Sequence, residues 1–166
     1  MKKIDIVGQN YSGKWSKTRT ACRGIIIKNN KILLSYETKT SQWMIPGGGL
    51  EDNETEAQCC VREVGEETGV LITPSPCLLE IDEYYKEWKW VNLYFCGTVK
   101  GASEMNLTES EQENGMEPRW IDVDNALSIF SKYADYAGTD EMRRGMYLRE
   151  YTALTEMRLN VFNRQS

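Results

Sequence analysis

Three glutamates with helical spacing are the residues of this sequence whose types and positions most clearly indicate chemistry. Glu63, Glu66 and Glu67 occupy positions i, i+3 and i+4, so a helix places them within about 100° of its circumference. Like charges at this spacing repel each other by about a few tenths of a kcal/mol per pair. The group is therefore either a solvated acidic face or a site for a divalent cation, since Mg²⁺ binds a few carboxylates together with water and substrate phosphates.

The residues directly before this helix favour the cation. Residues 45–49 read Ile-Pro-Gly-Gly-Gly, and glycine lets a backbone come close to a ligand. The stretch 48–70 holds seven acidic residues and one basic residue, so it carries −6 in a chain of net charge −5. Such a balance argues against a protein that coats long nucleic acid. It agrees with a small phosphorylated ligand, because a metal ion converts an acidic pocket into a phosphate site.

Several classes of protein are disfavoured by what the sequence lacks. There is no histidine, which excludes histidine bases and histidine metal ligands. The five cysteines show no C-x-x-C spacing, so they indicate buried thiols in a reducing compartment rather than a zinc site. The apolar runs are too short to cross a bilayer. We therefore expect a cytoplasmic protein that has no contact with membranes.

The 166 residues are long enough for one domain, and their pattern predicts a layered α/β fold. The clearest helix is predicted over residues 54–68, with a cap formed by Asn53 and Glu56 and an end at Gly69. A second helix over 139–162 closes the chain. Strands are predicted over 19–28, 31–36, 77–85, 88–99 and 119–123. The β-branched residues 25–27, followed by Asn29 and Asn30, indicate that a turn joins the first two.

Residues 1–17 contain a pattern that resembles a P-loop. Gly8, Gly13 and Lys14 have the spacing of that motif, which would indicate a nucleotide kinase. However, Trp15 stands where the motif requires Ser or Thr, and a strand rather than a helix is predicted to follow. We therefore interpret residues 1–17 as an N-terminal arm or as a contact in a homodimer.

The stretch 48–70 also resembles the signature of the Nudix hydrolase family, G-x5-E-x7-R-E-U-x-E-E-x-G-U, in which U is aliphatic. All nine specified positions match, and they are Gly48, Glu54, Arg62, Glu63, Val64, Glu66, Glu67, Gly69 and Val70. This resemblance implies an α/β/α sandwich with a mixed β-sheet. It also implies Mg²⁺- or Mn²⁺-dependent hydrolysis of a phosphoric anhydride in a nucleoside di- or triphosphate linked to another moiety.

Carried over by position, the resemblance gives a role to each signature residue. Glu63, Glu66 and Glu67 would bind the metal together with the carbonyl of Gly47, and Glu66 and Glu67 would also act in catalysis. Arg62 would orient the glutamates as a further catalytic residue. Glu54 would brace the turn between the loop and the helix.

Other candidates lie outside the signature. The family often uses a further carboxylate from a distant loop, and we choose Glu113 for this catalytic role, although the acidic stretch around it also fits a solvated loop. Arg19 and Arg23 lie on one face of the first hairpin strand and would meet substrate phosphates, unless they are ordinary surface charges. Tryptophans that would either stack a base or pack in the core are Trp43, Trp88 and Trp90.

One alternative within the same fold is a nucleotide-binding sensor without turnover. Every glutamate of the signature is present, which favours an enzyme, and a turnover assay separates the two. We expect a small phosphorylated nucleotide as the substrate.

Overall fold

The computed structural model describes the backbone of residues 1–163 and the side chains of residues 1–158, so the last three residues of the predicted domain lie outside it. Within this part the chain forms nine strands, four α-helices and one 3₁₀ turn. In chain order they are β1 (Lys2–Val7), β2 (Lys17–Lys28), β3 (Lys31–Glu37), β4 (Gln42–Met44), β5 (Gly47–Gly49), α1 (Glu56–Thr68), β6 (Val70–Pro74), β7 (Leu79–Tyr85), β8 (Trp88–Ala102), α2 (Glu109–Glu113), β9 (Met116–Asp122), α3 (Val123–Ser131), the 3₁₀ turn (Lys132–Tyr136) and α4 (Glu141–Asn163).

The central sheet is mixed, as predicted. β8 runs parallel to β2 and antiparallel to β7, and β1 pairs in parallel with the outer edge of β7. β5 adds to β2 and β6 adds to β8, both antiparallel. Because β5 lies beside β2, the sheet holds the glycine-rich loop in a fixed register.

A hairpin connects this sheet to a smaller group of strands. β2 and β3 turn at Asn29 and Asn30, which have φ values of 51° and 59° as a tight turn requires. The two strands pair only near the turn, because β3 then pairs with β4 and β9. The predicted hairpin is confirmed, and it joins the two groups of strands.

Alternate residues of the strands serve two separate cores, one on each face of the sheet. One core packs against α1, and the other packs against α3 and α4. This arrangement is the predicted α/β/α sandwich. Facing α1 are Cys22, Ile26, Leu33, Leu93 and Phe95, and facing α3 and α4 are Ile25, Ile32, Leu34, Ile81 and Tyr94.

Helix α1 starts two residues later than the sequence predicts. The Thr55 side chain accepts a hydrogen bond from the Gln58 amide at 3.3 Å, and the Gln58 side chain accepts from the Thr55 amide at 2.8 Å. The N-cap is therefore Thr55, and the predicted cap at Asn53 is wrong. Gly69 ends the helix with a φ of 70°, as predicted.

The N-terminal segment belongs to the sheet over part of its length. Lys2–Val7, which lie in the stretch interpreted as an arm, form β1. After Lys14 the chain enters β2, so the helix that a P-loop needs is missing at this place and the kinase alternative is wrong. No helix in the described part of the chain is long and apolar enough to cross a membrane.

Candidate functional site

A cavity of about 370 Å³ lies between the glycine loop, the acidic face of α1 and the start of α2. Glu63, Glu66 and Glu67 all line it, as the helical spacing predicts. The loop contributes Gly47–Gly49, and β2 contributes Arg19. Residues that are far apart in the sequence therefore meet at one site.

The glycine loop lies directly against the Glu63 carboxylate of α1. Gly48 pairs with Cys22 of β2, which places its backbone against the helix. A Cβ atom at Gly48 would collide with the carboxylate of Glu63. The absence of a side chain at Gly48 is therefore what allows a carboxylate to lie beside the loop backbone.

Arg62 holds the acidic groups and the loop together. It donates to both carboxylate oxygens of Glu54, at 2.6 and 2.9 Å, and to the carbonyl of Gly49 at 3.0 Å. Its Nη1 donates to Glu63 at 2.8 Å and to Glu66 at 3.2 Å. The Arg62 guanidinium lowers the pKa of Glu54 to about 2, so Glu54 stays charged and braces the turn.

Glu67 has a different environment from the other glutamates of the site. It is 5% exposed, and the Ser35 hydroxyl of β3 donates to its carboxylate at 2.6 Å. Burial raises the pKa of Glu67 to about 8, against the opposing effect of the Ser35 hydrogen bond. Burial also raises the pKa of Glu63. Sequence reasoning missed Ser35, because only the packing of α1 on β3 brings it to the site.

The chemistry of the donors fits a divalent cation. Carboxylate and backbone carbonyl oxygens are the ligands that Mg²⁺ and Mn²⁺ prefer. In the described residues no three acidic, cysteine or histidine side chains are gathered closely enough to enclose an ion as they stand. The reason is visible in the contacts, since Glu63 and Glu66 turn toward Arg62 and Glu67 turns toward Ser35.

The acidic helix α2 places Glu111, rather than Glu113, at the cavity. Thr108 caps α2, and the Glu111 carboxylate accepts from the Thr108 amide at 2.8 Å. Thr108 and Glu111 both line the cavity, whereas Glu113 does not. The T-x-x-E spacing of a capping box, present in the sequence, is the signal that would have separated the two glutamates.

Arg19 and Trp88, two of the predicted substrate-binding residues, lie on one surface that reaches the cavity. The register of β2 and β8 sets Arg19 opposite Trp90 and Lys17 opposite Trp88. The two indole rings stack at 5.1 Å and 25°, and the cations lie 5.7 Å from Trp90 and 5.3 Å from Trp88. Arg19 therefore joins the cavity to an aromatic surface beside it.

Arg23 does not line the cavity. Its Nε donates to Asn92 at 3.0 Å, and its Nη1 faces the carbonyls of Ile45 at 3.4 Å and Gly47 at 3.5 Å. These contacts occupy Nε and Nη1 of the guanidinium that was predicted to meet phosphate.

Trp43 lies with the core on the α4 side rather than in the cavity. Its ring packs 4.3 Å from Tyr36, and Arg119 lies 5.8 Å from its centre. Core packing, the alternative stated for the tryptophans, describes Trp43.

Comparisons with known proteins agree with this architecture. The family model described as NUDIX domain matches residues 18–141, which is more than half of the chain. The chain is 29% identical over 85 residues to the putative ADP-ribose pyrophosphatase YjhB of Bacillus subtilis (strain 168), a match that covers 50% of this chain and only 41% of that protein.

Two further relatives are matched over more of their length. The chain is 26% identical to the uncharacterized Nudix hydrolase YvcI of the same organism, over 75% of this chain and 78% of YvcI. A solved structure of a NUDIX hydrolase from Nitrosomonas europaea superposes with a TM-score of 0.58 at 23% identity, covering 82% of this chain and 90% of that one. This structural likeness shows the fold.

Proposed function

The chain belongs to the NUDIX domain family, and we propose that it is a metal-dependent hydrolase of a phosphoric anhydride bond in a nucleoside di- or triphosphate linked to another moiety. One observation carries the proposal: the cavity brings together three signature glutamates, a close backbone loop and Arg19.

The residues of the cavity divide into those that hold the cation and those that act on water and substrate. Glu63, Glu66 and Glu67, with the carbonyl of Gly47, would hold Mg²⁺ or Mn²⁺. When bound, such an ion supplies charge neutralisation on phosphate oxygens and a lowered pKa for water. Glu111 reaches the cavity from α2, where its carboxylate would accept the proton of the attacking water.

Arg19 is suited to bind the phosphates. In the described residues it forms no ion pair with a carboxylate, in contrast to Arg62, so its charge is available to a ligand. The Trp88–Trp90 surface beside it offers indole faces for a nucleobase. A small nucleotide that extends from the glutamates across Arg19 to the tryptophans fits this layout.

A hydrolysis screen tests the proposal. Nucleoside triphosphates, sugar nucleotides, dinucleoside polyphosphates and ADP-ribose would be incubated with Mg²⁺ or Mn²⁺, and released phosphate products quantified. We expect turnover of at least one compound and its loss in excess chelator. Turnover that survives the chelator contradicts the mechanism, and tight binding without turnover indicates a sensor.

Two further expectations concern the state of the protein. Cys22, Cys59 and Cys60 are buried thiols, which supports function in a reducing compartment such as the cytoplasm. A homodimer that uses the N-terminal segment stays a prediction, and light scattering on the purified protein tests it.

A further inference from the structure

A row of polar side chains, half-buried at Arg23 and buried beyond it, crosses the core between the sheet and α4. Arg23 Nε donates to Asn92 Oδ1 at 3.0 Å, and Asn92 Nδ2 donates to Glu83 Oε2 at 3.0 Å. Arg149 Nη1 of α4 donates to the same Glu83 oxygen at 2.9 Å. We name Arg23, Asn92, Glu83 and Arg149 the polar relay. It connects a strand of the site to the C-terminal helix.

The far end of the polar relay is anchored in the core. Arg149 Nη2 donates to Glu150 at 2.7 Å, and the Tyr94 hydroxyl donates to the other Glu150 oxygen at 2.9 Å. Glu150 is fully buried, and Glu83 and Asn92 are 3% and 2% exposed. Buried ion pairs are often no more stable than apolar residues of the same volume. Stability alone therefore gives little reason for this arrangement.

The near end of the polar relay lies against the glycine loop. A Cβ atom at Gly47 would stand 2.7 Å from Cγ of Arg23, and the guanidinium faces the carbonyls of Ile45 and Gly47. The Gly24 amide, next to Arg23 in β2, donates to the Pro46 carbonyl at 2.9 Å. The loop that borders the cavity therefore contacts both the backbone of β2 and the side chain of Arg23.

We propose that Arg23 is a positioning residue that fixes residues 45–49, and that Asn92, Glu83 and Arg149 hold it in place and so couple α4 to the cavity. Its catalytic consequence rests on the proposed hydrolase function. The role differs from the phosphate contact predicted for Arg23 from the sequence, because the planar guanidinium is shared between the Asn92 amide and two loop carbonyls.

The experiment compares Arg23→Lys, Asn92→Leu and the double variant with Asp82→Asn as the matched control. Asp82 is the neighbour of Glu83 in β7, is equally buried and is paired with Lys3 and Lys89, but it lies outside the polar relay. Two quantities are measured: amide hydrogen exchange of peptides covering residues 45–50, and kcat and KM on a substrate that the wild type hydrolyses. Thermal unfolding gives the loss of stability in each variant.

We expect faster exchange in residues 45–50 for both single variants and unchanged exchange there for Asp82→Asn. The value of kcat should fall about tenfold in each single variant with KM within about twofold, since a small misplacement in a site is costly. The double variant should be no worse than either single one, because both changes break one connection.

Three results would overturn the inference. They are a raised KM at normal kcat for Arg23→Lys, multiplying effects in the double variant, and an Asp82→Asn variant that loosens the loop to the same extent. The exchange measurement needs no substrate, so it tests the coupling even if the wild type hydrolyses nothing. In that case the proposed function fails and the inference is judged on exchange alone.

Discussion

The glutamates of this site differ in pKa because their surroundings differ. The bidentate contact with Arg62 keeps the pKa of Glu54 at about 2, so this carboxylate is a permanent anion. Burial brings the pKa of Glu67 to about 8, so a nearby cation strongly favours its charged form. The signature thus contains one carboxylate that serves the fold and others suited to ligand binding.

The sequence and the structure point to different glutamates of α2. The sequence analysis chose Glu113, whereas the structure places Glu111 at the cavity. Glu111→Gln keeps the acceptor that caps α2 but cannot take a proton from water, so kcat should fall by about 10²-fold. Glu113→Gln should change kcat by less than about threefold, because Glu113 does not border the cavity. Steady-state kinetics on both variants measure the two values of kcat. A larger fall in kcat for Glu113→Gln than for Glu111→Gln would support Glu113, the residue chosen from the sequence.

The signature residues could be read from the sequence, but their partners could not. Fixed spacing on one helix already placed Glu63, Glu66 and Glu67 on one face. Ser35 reaches Glu67, and Asn92 reaches Arg23, through the packing of distant strands, and neither carries a local signal. Arg23 was found from the sequence, but its hydrogen bond to Asn92 was not expected.

Helix α1 shows why the first residue of a helix is harder to predict from the sequence than the residues that share one of its faces. Asn53 with Glu56 and Thr55 with Gln58 have the same capping spacing, so the sequence offered two starts. The structure uses the second, and it holds Glu54 in the preceding turn through Arg62 and the Glu51 amide. The start of α1 is therefore linked to the contact between Arg62, about two turns into the helix, and Glu54. Local helix propensity could not reveal this contact.

The pairing of β1 with β7 has a pH dependence that can be measured. Burial alone would raise the pKa of Asp82, but the ammonium groups of Lys3 and Lys89, at 2.8 and 2.7 Å, outweigh it and hold that pKa below its ordinary 3.8. A lowered pKa in the folded state stabilises the protein above pH 3.8, and this stabilisation is lost as the pH falls through the folded-state value.

Asp82→Asn should therefore reduce the free energy of unfolding by about 1–3 kcal/mol at pH 7. The difference from the wild type should shrink progressively below about pH 4. Urea unfolding at several pH values measures it. A difference that stays constant down to pH 2 would show that the carboxylate charge is not what joins the strands.

In the whole molecule, the sheet separates two groups of polar and charged side chains, one on each of its faces. The α1 face carries the cavity and its carboxylates, and the α4 face carries the polar relay and most of the apolar core. The sequence predicted a layered α/β fold from its order of strands and helices, and the resemblance to the Nudix family implied the α/β/α sandwich. It could not predict that charged groups lie under α4, since that depends on which strands become neighbours.

Metal binding should stabilise the entire fold, because the cation is expected to bind only the assembled cavity. At a free concentration of 100 times its dissociation constant, the gain is about 2.7 kcal/mol. For a chain of this size, that raises Tm by about 5–10 °C. Calorimetry with and without Mn²⁺ measures the shift. An unchanged Tm, with binding shown independently by magnetic resonance of Mn²⁺, would contradict a site formed only on folding.

The most direct test of the central claim compares three glutamine variants of α1 on one substrate. Glu66→Gln and Glu67→Gln keep shape but remove ligand charge, so kcat/KM should fall by about 10²–10⁴ with circular dichroism unchanged. Glu56→Gln, an exposed position of the same helix outside the cavity, should stay within about threefold of the wild type. Equal damage at Glu56 and Glu67, or full activity of both ligand variants, would contradict the account.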